Sequence, residues 1–236
     1  LRLGLRIIQG LSRNGAERVH QNRPANGYQS AAELRTRAGL NQSDMELLAG
    51  ANAMPGFTRN RHQAYWQLLE HEEPAELFAN EAMTEYTPEP CHLLPEPTEG
   101  QNVLADYSSQ GLTLQRHPLA LLREQGHLRH CLTADQLKAT RPGIPVQVAG
   151  LVTGRQRPGT ASGVTFVTLE DETGNVNVVV WLDTARRQRK PLLTARLLHV
   201  KGVIEKEGDI VHVMAGKLSD LSHLINSLPV SSRDFH

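Results

Sequence analysis

Five short runs rich in Val, Ile and Thr fill the second half of the chain: "VQVAGLVTGRQR" (146–157), "VTFVTLED" (164–171), "NVNVVVW" (175–181), "RLLHVKGVIEKE" (196–207) and "DIVHVMAGKL" (209–218). β-Branched residues at this density favour a pleated, half-buried surface over a helix. "ETG" and "KEGD" supply two turns, with Gly174 and Gly208 as their flexible points. Between the third and fourth runs, "LDTARRQRKPLLTA" (182–195) carries a helical pattern that Pro191 is expected to stop. In the third run Val176, Val178 and Val180 share one face, with Asn175, Asn177 and Trp181 on the other. A chain patterned in this way must close its strands on one another, because each has a single face to bury.

Three strands, a helix and two strands is the element order of an OB fold, a five-stranded Greek-key barrel. Such barrels take single-stranded nucleic acid across strands two and three and in the loops joining strands one–two and four–five. The loop "RQRPGTASG" (155–163) joins strands one and two, so Arg155 and Arg157 are expected at the groove mouth, against phosphates. Phe166 and Trp181 have two readings each, a platform on which a base stacks or a piece of barrel core. Lys201 on the fourth strand and "RRQRK" (186–190) extend the positive surface; a solvated helix end accounts for the latter equally.

The first sixty residues read as short helices. "IIQGLSRNGAERVHQ" (7–21) turns at Gly10 and resumes with Ser12 as N-cap, then repeats Ala16 and Val19 at helical spacing. This is a helix–hairpin–helix pattern. Gly10 permits the tight turn, and amides from Leu11, Ser12 and Arg13 onward are expected to hold a duplex phosphate without reading sequence. Ser12 stands where the commonest form has a second Gly. "SAAELRTRAG" (30–39) follows, with Ser30 and Glu33 as a capping box and Gly39 as the stop. "LNQSDMELLAGANAM" (40–54) completes a second, more degenerate hairpin, with Asn41 as cap; plain helical packing explains it as well.

A net charge of zero conceals a pattern. Residues 1–61 hold nine Arg against four acids, residues 62–111 ten acids and no Lys or Arg, and residues 112–236 sixteen basic residues against eleven acids. Of 25 basic residues 20 are Arg, which favours forked contacts to phosphates and bases. Pro88, Pro90, Pro95 and Pro97 in the acidic stretch rule out a continuous helix or central strand there. The expected layout is therefore α+β and multi-domain: a helix–hairpin–helix module (1–72), an acidic Pro-rich linker (73–100), a helical connector (101–144), an OB barrel (145–218) and a C-terminal tail (219–236). The opening at Leu1, with neither Met nor a signal-peptide layout, reads as a piece of something longer. No run is long enough to span a membrane. Cys91 and Cys131 form no disulfide framework, as expected of a cytoplasmic chain. His127, His130 and Cys131 lack a fourth metal ligand nearby, so no metal site is expected.

The order of modules, together with "GLRIIQGLSRNGAERV", "ADYSSQGLTLQRHPLALLR" and "LLHVKGVIEKEGDIVHVMAGKL", resembles the C-terminal region of C-family bacterial DNA polymerases. "RQRPGTASGV" and "NVVVW" look most like the error-prone branch of that family. The resemblance implies a DNA-directed polymerase of translesion synthesis and damage-induced mutagenesis. It implies Mg2+ ions on palm-domain carboxylates upstream of Leu1, and no cofactor or catalytic residue in this chain. The replicative relatives carry a sliding-clamp peptide with a Gln; the matching "PAELF" has Leu77 and Phe78 but Pro74 in that place. This weighs against direct clamp binding and for recruitment by partner proteins of a mutagenesis complex. Two other readings stay open: a stand-alone DNA repair or replication accessory protein, and an OB barrel that docks another protein.

Overall fold

The computed structural model describes residues 4–70, 95–159, 163–208 and 210–228, which fall into two units divided between Thr113 and Leu114. Most of the expected linker, including Pro74, Leu77 and Phe78, lies outside the described residues. The first unit is helical. A 3-10 turn at Leu5–Ile7 precedes α1 (Arg13–Gln21), α2 (Ala31–Ala38), α3 (Gln42–Gly50), α4 (Arg61–Glu70) and α5 (Glu99–Gln110). Ser12, Ser30 and Asn41 cap α1, α2 and α3, each accepting from the backbone N–H three residues on. The reciprocal half of the expected Ser30–Glu33 box lands elsewhere, since Glu33 accepts from the Gln29 N–H at 2.8 Å. Ile8, Leu34, Met45, Leu48, Ala64 and Leu68 form the core.

The stretch read as one helical connector is shared between the units. Helix α5 packs with the first, held by a buried ion pair between Arg61 and Asp106 at 2.6 Å. Arg61 also donates to the Gly50 carbonyl, and Asp106 accepts from the Thr113 hydroxyl at 2.7 Å. Helices α6 (Pro118–Glu124) and α7 (Ala134–Ala139) belong to the second unit.

That unit is a closed barrel of β1 (Pro145–Gln156), β2 (Thr165–Asp171), β3 (Gly174–Val180), β4 (Leu197–Glu207) and β5 (Ile210–Asp220), hydrogen-bonded in the order β1-β2-β3-β5-β4. The expected OB topology is the one observed. β3 and β5 run parallel and the other neighbours antiparallel. Val148, Val167, Leu169, Val178, Val200, Ile204 and Val213 fill the interior. The segment after β3 breaks at Gln188 rather than at Pro191, giving α8 (Leu182–Arg187) and α9 (Arg189–Thr194). Pro191 sits in the first turn of α9, where its missing N–H has no helical partner to lose. The stretch read as a tail begins within β5 and continues as α10 (Ser222–Ser227), with Ile225 and Leu228 buried.

Two local features set the barrel's geometry. The Asp171 carboxylate is only 4% exposed. Its Oδ1 accepts from the Thr173 N–H (2.7 Å), the Thr173 hydroxyl (2.8 Å) and the Gly174 N–H (3.0 Å), and its Oδ2 from the Ala134 N–H (2.7 Å). One side chain thus fixes the β2–β3 turn and the start of α7 against it. On the other side of the barrel Gly202 lies where β4 meets β5, and a Cβ there would come within 2.3 Å of the Met214 carbonyl oxygen. The register shifts at this point, with Lys201 opposite Lys217 and Gly202 opposite Ala215, so Gly216 is an extra residue on β5.

Asp171→Ala should lower the unit's unfolding free energy by about 2–4 kcal/mol, because it strands several buried donors. Asp171→Asn should recover part of that loss, and chemical denaturation followed by circular dichroism measures both. In the first unit Arg61→Ala should cost about 3–5 kcal/mol by leaving the Asp106 carboxylate buried and uncompensated. The same measurement shows it as loss of the helical signal at lower denaturant.

Candidate nucleic-acid interface

Strand parity tests the core reading of the barrel's aromatic residues. Val167 and Val178 point inward, so their neighbours on β2 and β3 point out. Phe166 is 38% exposed and Trp181, just past β3, 55% exposed, so neither belongs to the core. Phe166 pairs with Val179 across β2–β3, Val179 with Met214 across β3–β5, and Met214 with Val203 across β5–β4. An apolar row therefore runs across the outward-facing positions of four strands, exposed at Phe166 and Val203 and covered at Val179, which is only 5% exposed. A polar row lies beside it, formed by Thr168, Asn177, His212 and Glu205 in the same cross-strand order. An exposed aromatic flanked by amide and hydroxyl groups suits a stacked base whose edge seeks hydrogen bonds.

The basic residues are distributed differently from the sequence expectation. Arg157 lies exposed just beyond β1, in the loop leading to β2. Arg155 does not simply face outward beside it. Its Nε donates to the Leu192 carbonyl at 2.6 Å and its Nη2 to the Ala195 carbonyl, so the guanidinium caps the C-terminal end of α9. Partial burial pushes its pKa down, against the pull of Asp220. The cap joins the root of the one–two loop to the helix between β3 and β4. No sequence signal marked this, since the pairing depends on tertiary placement of α9.

Lys201 is exposed on β4, which borders β1 and β5 and not the β2–β3 pair. Its cross-strand partner is Lys217 on β5. The half-buried His199 lies on the same outer face, with its Nε2 at 3.2 Å from Gln147 Oε1. Burial, with help from Lys201 and Lys217, pushes the His199 pKa down and keeps its imidazole neutral near pH 7. Lys201 thus belongs to a different stretch of barrel surface from Phe166.

In the first unit, Gly10 makes the tight turn with φ at 82°, a conformation that glycine adopts without strain. The Leu11 N–H returns to the Ile8 carbonyl at 3.3 Å. The Ser12 N–H donates to Asp44 Oδ1 (3.1 Å) and its hydroxyl to Asp44 Oδ2 (2.8 Å). Asp44, at the N-terminal end of α3, is 3% exposed. A carboxylate of the chain itself therefore occupies donors that were expected to face a phosphate. Ser12 in place of the second Gly is the signal for this, because its hydroxyl supplies the second bond. Arg13 alone of the four named residues carries a fully solvated side chain, paired with Glu17 at 2.8 Å.

The comparisons with known proteins agree with this architecture. A family model described as a helix-hairpin-helix motif matches residues 1–64, and one described as an OB-fold nucleic acid binding domain matches residues 146–221. Proteins named error-prone DNA polymerase match all of the chain. One from Pseudomonas paraeruginosa is 48% identical over 236 residues, one from Idiomarina loihiensis 49% over 237, and one from Pseudomonas fluorescens 50% over 235. The chain spans 23%, 22% and 22% of these relatives respectively. Among solved structures, an asparaginyl-tRNA synthetase from Pyrococcus horikoshii aligns with 39% of the chain and 23% of its own, at 22% identity and a TM-score of 0.34. Along its whole length, the chain is similar in sequence to the C-terminal region of proteins named error-prone DNA polymerase, of which it spans less than a quarter.

Proposed function

We propose that this chain positions DNA for an error-prone polymerase acting in translesion synthesis and damage-induced mutagenesis. The outer β2–β3 face holds single-stranded template and the first unit meets duplex backbone. The observation that carries the reading is the pair of exposed aromatics, Phe166 and Trp181, with Thr168 and Asn177 next to Phe166 on the outer β2–β3 face of a barrel otherwise built from aliphatic side chains. Arg157 at the end of β1 supplies a phosphate contact. Polymerisation belongs to the remainder of such a protein, where Mg2+ is bound; this chain's residues orient the strands. Partner proteins of a mutagenesis complex recruit it, consistent with Pro74 in place of the clamp-peptide Gln.

Asp44 gives the duplex reading a specific consequence. Its carboxylate opposes any phosphate that approaches the Gly10 hairpin, while its hydrogen bonds hold the loop's shape. Asp44→Asn, which keeps the shape and removes the charge, should tighten duplex binding without sequence preference. Unchanged duplex affinity in a folded variant would make the hairpin structural only.

For the barrel, Phe166→Ala and Trp181→Ala should each weaken binding of fluorescent single-stranded DNA by about 1–3 kcal/mol and leave the salt slope unchanged. Arg157→Ala should lower that slope by about 0.7. Arg155→Ala should instead depress the melting temperature, because it uncaps α9. If both aromatic variants bind as the parent chain does, the face is a docking surface for another protein.

A further inference from the structure

The sequence run "RRQRK" and the Lys201–Lys217 pair come together through one side chain, Gln188. The β5 bulge makes Gly216 an extra residue, with no partner in the register between β4 and β5. Its carbonyl accepts from Gln188 Nε2 at 2.9 Å, while the Leu218 N–H donates to Gln188 Oε1 at 2.7 Å. Those two bonds bracket Lys217. They hold the junction of α8 and α9 on the outer edge of β5, so that Arg187, Arg189 and Lys190, all exposed, flank the strand there. Lys217 and Lys201 face out in turn, since Leu218 and Val200 beside them are buried. Among the described residues neither lysine has an ion pair. Asp220, the nearest acid along β5, is engaged with Ser222.

Two like charges set directly opposite one another on adjacent strands destabilise a sheet. A basic helix junction pinned beside them adds to the repulsion. Such an arrangement is tolerable where an anion lies over it. We propose that this ledge, from the α8–α9 junction across β5 to Lys201 on β4, carries the phosphodiester backbone of single-stranded nucleic acid continuing from the β2–β3 face. Trp181, at the start of α8, stands where the two surfaces adjoin along the chain. The ledge rests on the reading of that face as a single-strand site and extends its length. It assigns Gln188 a positioning role: the residue touches no phosphate itself but sets where the flanking cations lie.

The test compares two oligothymidylates, one of about 8 nucleotides, within the ~4–16 that one OB barrel covers, and one of about 24, which extends beyond it. Binding of each to the 236-residue chain is followed by fluorescence anisotropy across a salt titration. Lys201→Ala with Lys217→Ala should weaken the longer strand by about tenfold at low salt, lower its log–log salt slope by about 1.4, and leave the shorter strand unchanged. Gln188→Ala removes no charge, so a selective loss for the longer strand would show that placement matters and not charge alone. Should the alanine pair fail to fold, Lys201→Gln with Lys217→Gln keeps the aliphatic stems and carries the same expectation. Equal losses for both lengths, or no loss for either, would overturn the ledge. Phe166→Ala measured on the shorter strand reports on the β2–β3 face separately, so failure of that face and failure of the ledge give different patterns.

Discussion

The buried Asp171 carboxylate is the constraint on which the barrel's outer surface depends. It is sequestered from water and surrounded by four donors, three from its own turn and one from the start of α7. A charge-assisted hydrogen bond is stronger than a neutral one, and stranding such a group is costly. The turn is therefore held in one conformation and, with it, the register from Asp171–Gly174 up to Thr165–Val180. A slip of one residue would send the valines outward and Phe166 inward. The candidate stacking surface exists because this turn does not slip.

Polar ties of the same kind organise the first unit. Asp44 binds the start of α1 from the start of α3, and the Arg61–Asp106 pair brings α5 onto α4. Both cores are assembled from small aliphatic residues, which pack interchangeably and specify position weakly. Buried charges with fixed partners supply the specificity that bulky aromatics supply elsewhere. The cost is that one of these buried ties, Asp44, sits beside the hairpin loop where function is expected, and the partly buried Arg155 cap does the same at the root of the one–two loop.

Much of this was legible in the sequence because it depends on local period. Alternation at 175–181 placed Val176, Val178 and Val180 inside, and Ser12, Ser30 and Asn41 marked three helix starts by side-chain chemistry. Where the reading fell short, the deciding contact came from far along the chain. Arg155 looked like a loop cation until α9 was folded against it, 37 residues away. Pro191 looked like a stop because the break at Gln188 is made by hydrogen bonds to β5, which no local pattern reveals. Phe166 and Trp181 stayed undecided until the pairing fixed which way each faced. Lys201 and Lys217 are separated in sequence by a turn, and only the register with its extra Gly216 sets them opposite each other.

Gly202 has a consequence at the level of the genetic code. Every amino acid reachable from a glycine codon by a single base change carries a Cβ atom. At position 202 that atom would meet the Met214 carbonyl oxygen at 2.3 Å and a methyl group of Val213 at 2.9 Å, well inside van der Waals contact. The backbone oxygen cannot swing aside as a side chain would, so β4 and β5 would have to part at the bulge. Neutral drift, which elsewhere on these strands can exchange one aliphatic residue for another, has no first step available at this codon.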